Sequence, residues 1–277
     1  MSNEDRIKLA ASCRDADAIP KHADAGAVID SDGRRVQIMH NGVKVLADQY
    51  YGSWMTELVR HLRGHHEPQE ESVFHAVLQA LGPRPTMVEL GGYWCYYSLW
   101  LKSVFPDARV IVVEPIGERL AVGRANFALN TYDATILEAA VSDGPDEKQS
   151  EFKTGAEASK VPRVSVDSLA KDFALQHIDI LHIDIQGWER RALLGSSELL
   201  STGRIGWVFV STHRWLEEGQ TMDLHIESRR ILDGHGYVIV AEHTPEQSFT
   251  VDGLIVAKSP TAPGPDRIPV SHLGAVD

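Results

Sequence analysis

The sequence has 277 residues, and its 39 Asp and Glu against 27 Lys and Arg give a formal net charge of −12 at pH 7. This acidic excess argues against a protein that binds nucleic acid by neutralising phosphates. The two cysteines, Cys13 and Cys95, fit neither a disulfide framework nor a paired-cysteine metal site. Because no stretch is long and apolar enough to span a membrane and the N-terminus lacks a signal-peptide pattern, we expect a cytoplasmic protein with no membrane partner.

The first 82 residues are predicted to form a small N-terminal unit. Residues 1–25 are rich in Ala and Asp without clear periodicity, which indicates a mobile or loosely packed arm. An Asn-Gly pair between alternating residues predicts a β-hairpin over 35–46. Apolar residues at helical spacing predict helices over 54–62 and 72–81. The unit is too small to be an enzyme by itself, and we expect a lid or a dimerisation element of a homo-oligomer.

Two adjacent histidines, His65 and His66, lie between these predicted helices. They invite a metal interpretation, but neighbouring side chains point in different directions. A polar loop is therefore the simpler interpretation.

Residues 86–98 have the pattern of a strand, a glycine-rich turn and a helix. Gly91 and Gly92 lack a Cβ, so a ligand can lie against the main chain of the turn. A second β-rich run at 110–113 ends in Glu114, whose carboxylate could accept hydrogen bonds from two ribose hydroxyls. The glycine pair alone would fit an ordinary βα turn, but the acidic strand end at this distance favours a cofactor that contains adenosine.

The remaining elements complete an α/β pattern. Helices are predicted over 118–130, 188–200 and 222–232, strands over 134–138, 178–185, 206–213, 237–243 and 251–258, and an irregular excursion over 143–163. The last two strands must pair antiparallel, because only residues 244–250 join them. We therefore predict the fold of a class I S-adenosylmethionine (SAM) methyltransferase: a Rossmann-like, mostly parallel sheet of seven strands with an antiparallel last strand and helices on both faces. It would occupy residues 83–260, after the N-terminal unit of residues 1–82 and before an irregular tail at 261–277.

Three polar residues lie at the carboxyl ends of predicted strands, where ligands bind in open α/β sheets. Asp184 is near the end of the nearly continuous apolar strand 178–185, and His213 takes the equivalent position on the next strand. His243 faces the same edge of the sheet. Asp184 could point into the cleft beside the glycine turn, could cap the following helix, or could do both.

Taken together, these residues resemble the FkbM family of SAM-dependent methyltransferases. That family's Asp-x-Gly-Ala-Asn-x-Gly-x-x-Ser is similar to residues 89–98, its Phe-Glu-Pro to 113–115, its paired asparagines to Asn126 and Asn130, its Leu-Asp-x-Leu to 165–169, and its Ile-Asp-x-x-Gly-x-Glu to 183–189. The order and spacing of these five blocks is more specific than any one of them. Tyr93 and Cys95 replace the Asn and the third Gly of the first block, which makes the turn bulkier. We interpret Cys95 as a packed turn residue rather than a nucleophile.

The resemblance implies methyl transfer from SAM, usually to a hydroxyl oxygen of a sugar or small natural product. The expected cofactor contacts are Glu89, Gly91, Gly92, Tyr93, Ser98, Glu114, Asn126, Glu138, Ala140 and Asp184. The acceptor proton needs a base, for which Asp184, His213 and His243 are the candidates. Asp184 and His213 could instead bind Mg²⁺ or another divalent metal that lowers the pKa of the acceptor. The expected contacts of the small-molecule acceptor are Arg214, Trp215 and Gln247.

Two other interpretations stay open at this point. An NAD-dependent oxidoreductase could use the same turn and Glu114, but the Gly-x-Gly-x-x-Gly pattern is absent and the terminal antiparallel pair is unexplained. A catalytically degenerate protein, in which Tyr93 and Cys95 close the pocket, would serve as a binding or scaffold module. Titration with the two cofactors separates the three interpretations.

Overall fold

A computed structural model of the chain describes residues 1–144, 150–154, 157–214 and 223–275. The N-terminal unit consists of helix α1 (Asn3–Ser12), strands β1 (Val28–Ser31), β2 (Arg34–Ile38) and β3 (Lys44–Leu46), and helices α2 (Ser53–His61) and α3 (Pro68–Leu78). The three strands form an antiparallel sheet with β2 in the middle. The predicted hairpin is confirmed as β2 and β3, and β1 extends it by one strand.

The expectation of a loosely packed N-terminal arm is wrong, because α1 is a capped helix that packs on α2. The hydroxyl of Ser2 accepts a hydrogen bond from Asp5 N at 3.1 Å, and the Asp5 carboxylate accepts one from Ser2 N at 3.2 Å. Ala10, Cys13 and Ile19 are buried behind this capping box. The small alanine side chains of α1 give no strong apolar stripe, so the helix is hard to see in the sequence.

The rest of the chain alternates strands and helices around one large sheet. In chain order the elements are β4 (Thr86–Leu90), α4 (Tyr96–Val104), β5 (Arg109–Glu114), α5 (Gly117–Leu129), β6 (Thr135–Glu138), β7 (Ala140–Val141), β8 (Ser150–Thr154), β9 (Glu157–Val161), β10 (Arg163–Val164), α6 (Val166–Asp172), β11 (Ile178–Ile183), α7 (Glu189–Leu194), α8 (Ser197–Ser201), β12 (Ile205–Thr212), α9 (Leu224–Gly234), β13 (Val238–His243), a 3₁₀ turn (Pro245–Gln247) and β14 (Gly253–Lys258). Among the described residues, no helix is long and apolar enough to cross a membrane.

The strand order of the large sheet is β13-β14-β12-β11-β4-β5-β6. Strands β11, β12, β4, β5 and β6 pair in parallel, whereas β14 pairs antiparallel with both β12 and β13. This is the predicted class I methyltransferase arrangement, with its antiparallel last strand inserted between two others. The chain reverses its direction of winding at β4, so a crevice opens at the carboxyl ends of β4 and β11.

The structure refines three of the predicted elements. The helix expected over 188–200 is divided into α7 and α8. The excursion over 143–163 contains the antiparallel hairpin β8–β9, and the strands on either side of it, β7 and β10, pair in parallel. Beyond β14 the described residues up to 275 hold neither helix nor strand, as predicted for the tail.

Both faces of the large sheet are buried, because successive residues of its strands point to opposite sides. On β5, Val110 and Val112 join the apolar cluster that contains α4, while Ile111 and Val113 join the cluster under α6 to α9. Met39 of the N-terminal unit belongs to the first cluster. Residues 1–82 therefore cover one face of the sheet and share its core.

Two asparagines of α5 fasten the N-terminal unit to the large sheet. Asn126 accepts a hydrogen bond from Leu46 N at 2.8 Å and donates one to the carbonyl oxygen of Trp94 at 2.9 Å. Asn130 accepts a hydrogen bond from Lys44 N at 2.9 Å and donates one to the Lys44 carbonyl at 2.7 Å. The paired asparagines thus hold strand β3 along the side of α5.

Candidate active site

The glycine turn after β4 forms one wall of the site. Gly91 has φ +84°, and a Cβ there would lie 1.7 Å from the carbonyl oxygen of Asp184. A Cβ on Gly92 would lie 2.1 Å from Cγ1 of Val112. The glycines are required because the ends of β4, β5 and β11 approach one another closely, and the bare main chain of the turn then lines the cleft.

Tyr93 and Cys95 adopt left-handed backbone, with φ of +34° and +63°. Asn and Gly tolerate this region better, which gives a physical reason for those residue types in the similar pattern. The Cys95 side chain is fully buried, and a Cβ on Gly123 of α5 would lie 2.5 Å from its Sγ. Burial raises the pKa of the thiol well above its ordinary value. Cys95 therefore packs the turn against α5 and is not an activated nucleophile.

A cleft of about 770 Å³, including its open mouth, lies against this turn. The polar side chains that line it are His66, Glu67, Glu89, Glu114, Arg119, His182, Asp184 and Gln186, and the aromatic ones are Tyr50, Tyr51, Tyr93, Trp94, Tyr97 and Trp188. The cleft thus combines strand ends of the large sheet with side chains of the N-terminal unit.

Two buried glutamates at the ends of β4 and β5 face this cleft. Glu114 accepts a hydrogen bond from Ile116 N at 3.0 Å, and burial raises its pKa to about 7. Glu89 accepts a hydrogen bond from the hydroxyl of Ser98, and burial raises its pKa to about 7 as well. Each carboxylate is therefore oriented by one neighbour and changes charge near neutral pH.

A histidine among three carboxylates lies at the carboxyl ends of β11 and β12. His213 Nδ1 is 2.7 Å from Glu189 Oε1, and its Nε2 is 3.2 Å from Asp184 Oδ1 and 3.7 Å from Asp252 Oδ2. Burial alone would lower the pKa of His213, but the hydrogen bonds to Asp184 and Glu189 outweigh it and raise the pKa well above its ordinary value. The same contact holds the pKa of Asp184 below its ordinary value despite the burial of that carboxylate. Near neutral pH the two form an ion pair.

The N-terminal unit contributes a second buried histidine network. The Glu71 carboxylate accepts hydrogen bonds from the ring of His65 and from Nδ1 of His66, the latter at 2.7 Å. Burial opposes the charge of His66, but Glu67 and Glu71 outweigh it and raise its pKa to about 10. His66 Nε2 lies 3.0 Å from Glu67 Oε2, which also accepts the hydroxyl of Tyr97 at 3.1 Å. Residues 65–66 lie in the expected loop between α2 and α3, and both histidines are buried there.

A third buried pair links α3 to the centre of the sheet. Glu70 Oε1 lies 2.7 Å from His182 Nε2, and Glu70 Oε2 accepts the hydroxyl of Ser211 at 2.9 Å. The other ring nitrogen of His182 is buried and has no hydrogen-bond partner among the described residues. His182 also lines the cleft, and Nδ1 is its ring nitrogen without a hydrogen-bond partner in the described part of the chain.

A second cavity of about 1,120 Å³, including its mouth, adjoins the first. The two share Tyr50, Tyr51, His66, Glu67 and Gln186. Asp184 lines the first cavity, whereas His213 and Asp252 line the second. The ion pair of Asp184 and His213 therefore lies where the cavities meet.

The structure brings several of the expected cofactor residues to the first cleft and leaves others outside it. The residues that line the cleft are Glu89, Gly91, Gly92, Tyr93, Glu114 and Asp184. Ser98 donates a hydrogen bond to Glu89 and does not line the cleft. The side-chain amide of Asn126 forms hydrogen bonds with the main chain of Leu46 and Trp94. Glu138 and Ala140 are not among the lining residues, although Val141, the residue after Ala140, is.

The candidate base His243 lies away from the ion pair, and the described residues expected to contact the acceptor are engaged elsewhere. His243 lines a smaller cavity beside Glu70, and burial lowers its pKa to about 4, so it stays neutral. Gln247 Oε1 accepts Thr244 N at 3.0 Å and caps the 3₁₀ turn. Arg214 is exposed and pairs with Glu246 at 2.9 Å. Trp215 lies outside the described residues.

Two clusters offer donors that a metal ion could use. Nε2 of His213 lies 3.2 Å from Asp184 Oδ1 and 3.7 Å from Asp252 Oδ2, but it carries the proton of the ion pair and would have to lose it before it could bind a metal ion. His40, His65 and Glu71 also bring three buried donor atoms within 4.8 Å of one another. The rings of His40 and His65 are stacked at 4.1 Å with an angle of 16°, so their in-plane nitrogen lone pairs do not converge on one ion. The second cluster is better described as a hydrogen-bonded network.

The functional residues that the sequence pattern missed belong mainly to the N-terminal unit. Tyr50, Tyr51, His66 and Glu67 have no periodic or motif signal, and Gln186 N–H donation to the Tyr51 hydroxyl at 2.7 Å spans 135 residues of chain. Asp252 lies in the connection between β13 and β14, directly before β14. Its position at the end of a strand is a signal of the same kind as that of Asp184. Glu189 had a signal, since it is the last residue of the Ile-Asp-x-x-Gly-x-Glu block.

Residues 83–239 match the family model described as the methyltransferase FkbM domain. No curated protein sequence matches the chain. Among solved structures, the precorrin-6y C5,15-methyltransferase of Geobacter metallireducens GS-15 is similar at 16% identity, over 67% of this chain and 86% of that one, with a TM-score of 0.42. TrmK of M. capricolum, solved with S-adenosylhomocysteine, is similar at 12% identity over 69% of each chain, with a TM-score of 0.41. The fibrillarin pre-rRNA processing protein of Methanococcus jannaschii is similar at 10% identity, over 65% of this chain and 68% of that one, with a TM-score of 0.42.

Proposed function

The chain belongs to the family of methyltransferases with an FkbM domain, and on that premise we propose that it transfers the methyl group of SAM to a hydroxyl oxygen of a small acceptor, a sugar or another natural product. The observation that carries this proposal is the meeting of two cavities at one ion pair. Asp184 faces the first cavity and His213 the second, with 3.2 Å between Oδ1 and Nε2. A methyl group that passes from the first cavity to an acceptor in the second could therefore be transferred beside these side chains.

The first cleft is our proposed cofactor site. The Gly91-Gly92 main chain and the Glu114 carboxylate form the wall that would take the adenosine part, with the ionised carboxylate accepting the ribose hydroxyls. Two of the other acids of the cleft, Glu67 and Glu89, would face the cationic methionine end. Bound SAM supplies a methyl group that is already activated on a sulfonium. What the protein adds is alignment and a proton acceptor.

The ion pair of Asp184 and His213 is our proposed proton acceptor. Glu189 holds Nδ1 of the imidazole at 2.7 Å, which leaves Nε2 to exchange a proton with the acceptor hydroxyl. Because the carboxylates raise the pKa of His213, its neutral form is a strong base but a minor species near neutral pH. Asp184 and Asp252 would then stabilise the imidazolium that forms when the hydroxyl gives up its proton.

Calorimetric titration with S-adenosylhomocysteine tests the cofactor assignment, with NAD as the control. We expect S-adenosylhomocysteine to bind and NAD not to bind. Glu114→Ala should weaken the affinity about tenfold or more, since it removes a charged hydrogen-bond acceptor. Absence of binding would favour the catalytically degenerate scaffold, and binding of NAD alone would favour an oxidoreductase. Repeating the titration with Mg²⁺ tests for a cation held by Asp184 and His213.

Asp184→Asn and His213→Gln test the chemical step. Both variants should bind S-adenosylhomocysteine with nearly wild-type affinity and should lose methyl transfer by about 100-fold or more, because a placed base contributes that much. Lys171→Gln, which changes an exposed ion pair on α6, is the control. Full activity in both variants would remove the pair from the mechanism.

A further inference from the structure

The second cavity is polar on one side and apolar on the other. Most of its polar residues come from the sheet edge and from the loops that adjoin it, and Arg6 comes from α1: Arg6, His66, Glu67, Gln186, His213, Thr250 and Asp252. Its apolar residues come mainly from α1, α2 and the loop before α2: Ala10, Tyr50, Tyr51, Trp54, Met55, Leu58 and Val251. The polar side contains the proposed proton acceptor, so one end of a bound molecule would meet most of the hydrogen-bonding side chains.

We propose that this cavity binds a hydroxylated acceptor whose body is an apolar ring or ring pair, rather than a sugar. The inference rests on the proposed function and names the class of acceptor for the same site. The single hydroxyl lies beside His213 and Asp252, while the ring body lies against Tyr51, Trp54 and Met55. Aromatic rings pack face to face or edge to face with such side chains, and the thioether of a methionine adapts to the shape of the ring.

Two exposed apolar side chains support this assignment. Tyr51 is 41% exposed and Val251 is 37% exposed, and both line the second cavity. The guanidinium of Arg6 lies over the ring of Trp54, 5.3 Å from the ring centroid, and holds that side chain in place. Apolar surface that stays open next to a polar site marks a place for a ligand with an apolar part.

A sugar would be recognised poorly by this wall. Its hydroxyl groups project in all directions, and those directed at Ala10, Met55 and Leu58 would exchange water for side chains that offer no hydrogen bond. An apolar ring leaves no polar group unpaired there. The apolar part of the wall therefore favours an apolar ring over a sugar, because it offers few hydrogen bonds to hydroxyl groups.

Matched probes test the proposal on protein saturated with S-adenosylhomocysteine. The probes are 4-phenylphenol and 4-cyclohexylcyclohexanol, each with two apolar rings and one hydroxyl, and methyl β-cellobioside, with two rings and many hydroxyls. Binding is measured by calorimetry and methyl transfer from SAM by product mass. We expect at least one two-ring alcohol to bind about tenfold or more tightly than the disaccharide and to be methylated on oxygen.

Variants of the outer wall separate this cavity from non-specific binding. Met55→Gln and Trp54→Ala should weaken the two-ring alcohols about fivefold or more and leave the affinity for S-adenosylhomocysteine unchanged. Ile226→Gln, at an exposed apolar residue of α9, is the matched control and should change neither affinity. Tighter binding of the disaccharide, failure of both alcohols to bind, or equal binding in all variants would overturn the proposal. The probe titrations are repeated without S-adenosylhomocysteine, so loss of cofactor binding, which would overturn the proposed function, still leaves a result for the cavity.

Discussion

The residue that concentrates the charge of the site is His213. Its Nδ1 faces Glu189, and its Nε2 faces Asp184 and Asp252. Burial would favour the neutral ring, yet the carboxylates keep the proton on it. The positive charge of His213 thereby reduces the repulsion among Asp184, Glu189 and Asp252. It also reduces their repulsion of the negative charge that develops on an acceptor oxygen.

Glu189→Gln should move the pH dependence of methyl transfer to lower pH. Because the folded pKa of His213 is raised, the basic form increases as pH rises, and the rate should still climb above the ordinary histidine pKa of about 6.5. Removing the Glu189 charge lowers that pKa, so the rising limb should begin at lower pH. The measurement is kcat/KM against pH for the wild type and the variant.

Glu198→Gln, at an exposed carboxylate of α8 that pairs with Lys171, is the control for this experiment. It should leave the profile in place, since it lies outside the site. An unchanged profile for Glu189→Gln would show that His213 is not the group whose titration controls the rate.

At the scale of elements, the start of α3 places three glutamates, each of which pairs with one or two buried histidines. Glu67 pairs with His66 and Tyr97, Glu70 with His182, and Glu71 with His65 and His66. Pro68 begins the helix, so these side chains leave its first turn, where the helix dipole favours negative charge. A single helix start therefore joins the N-terminal unit to the sheet and to the cleft.

Glu71→Gln should destabilise the protein strongly. The carboxylate is fully buried, and its removal leaves the His66 imidazolium without one of its two partners. Losing one member of a buried pair costs about 3 to 5 kcal/mol. The free energy of unfolding, measured by urea denaturation, should fall by that amount.

Glu57→Gln provides the comparison, because Glu57 forms an exposed pair with Arg60 on α2. An exposed pair contributes only about 0 to 1 kcal/mol. If the two variants had the same stability, the network around Glu71 would be solvated rather than buried.

The sequence predicted the parts of the site that follow from local patterns. The glycine turn, Glu114 and Asp184 occupy ends of regular strands, and ends of parallel strands meet at one edge of a sheet. The N-terminal wall could not be placed in the same way. Glu70 meets His182 across 112 residues and Gln186 meets Tyr51 across 135 residues, and only the packed core decides such contacts.

The asparagines show a different limit of sequence reasoning. A resemblance in sequence shows that a residue type at a position is important, but it does not show which group that side chain contacts. Asn126 was expected at the cofactor, whereas its amide bridges β3 and the glycine turn. Only a structure distinguishes a side chain that touches a ligand from one that holds the wall of its pocket.

For the whole molecule, the central question is how far the N-terminal unit can be separated from the rest. Its residue Met39 shares a core with Trp100 and Phe209, so most of the unit is part of the folded body. Helix α1 differs, because its packing partner is α2 and it reaches the second cavity through Arg6 and Ala10. Removing residues 1–12 is therefore the smallest change that opens the second cavity while leaving the first intact.

A chain that begins at residue 13 should keep its fold and its cofactor site but lose its acceptor. No described residue of α1 lines the first cleft, so the affinity for S-adenosylhomocysteine should stay within about twofold of the wild type. The second cavity loses part of its outer wall, so KM for a two-ring alcohol should rise much more than kcat falls. The measurements are calorimetric titration and steady-state kinetics on the shortened and the full chain. Equal kinetics would mean that the acceptor enters elsewhere, and loss of cofactor binding would mean that α1 supports the fold of the first cleft from a distance.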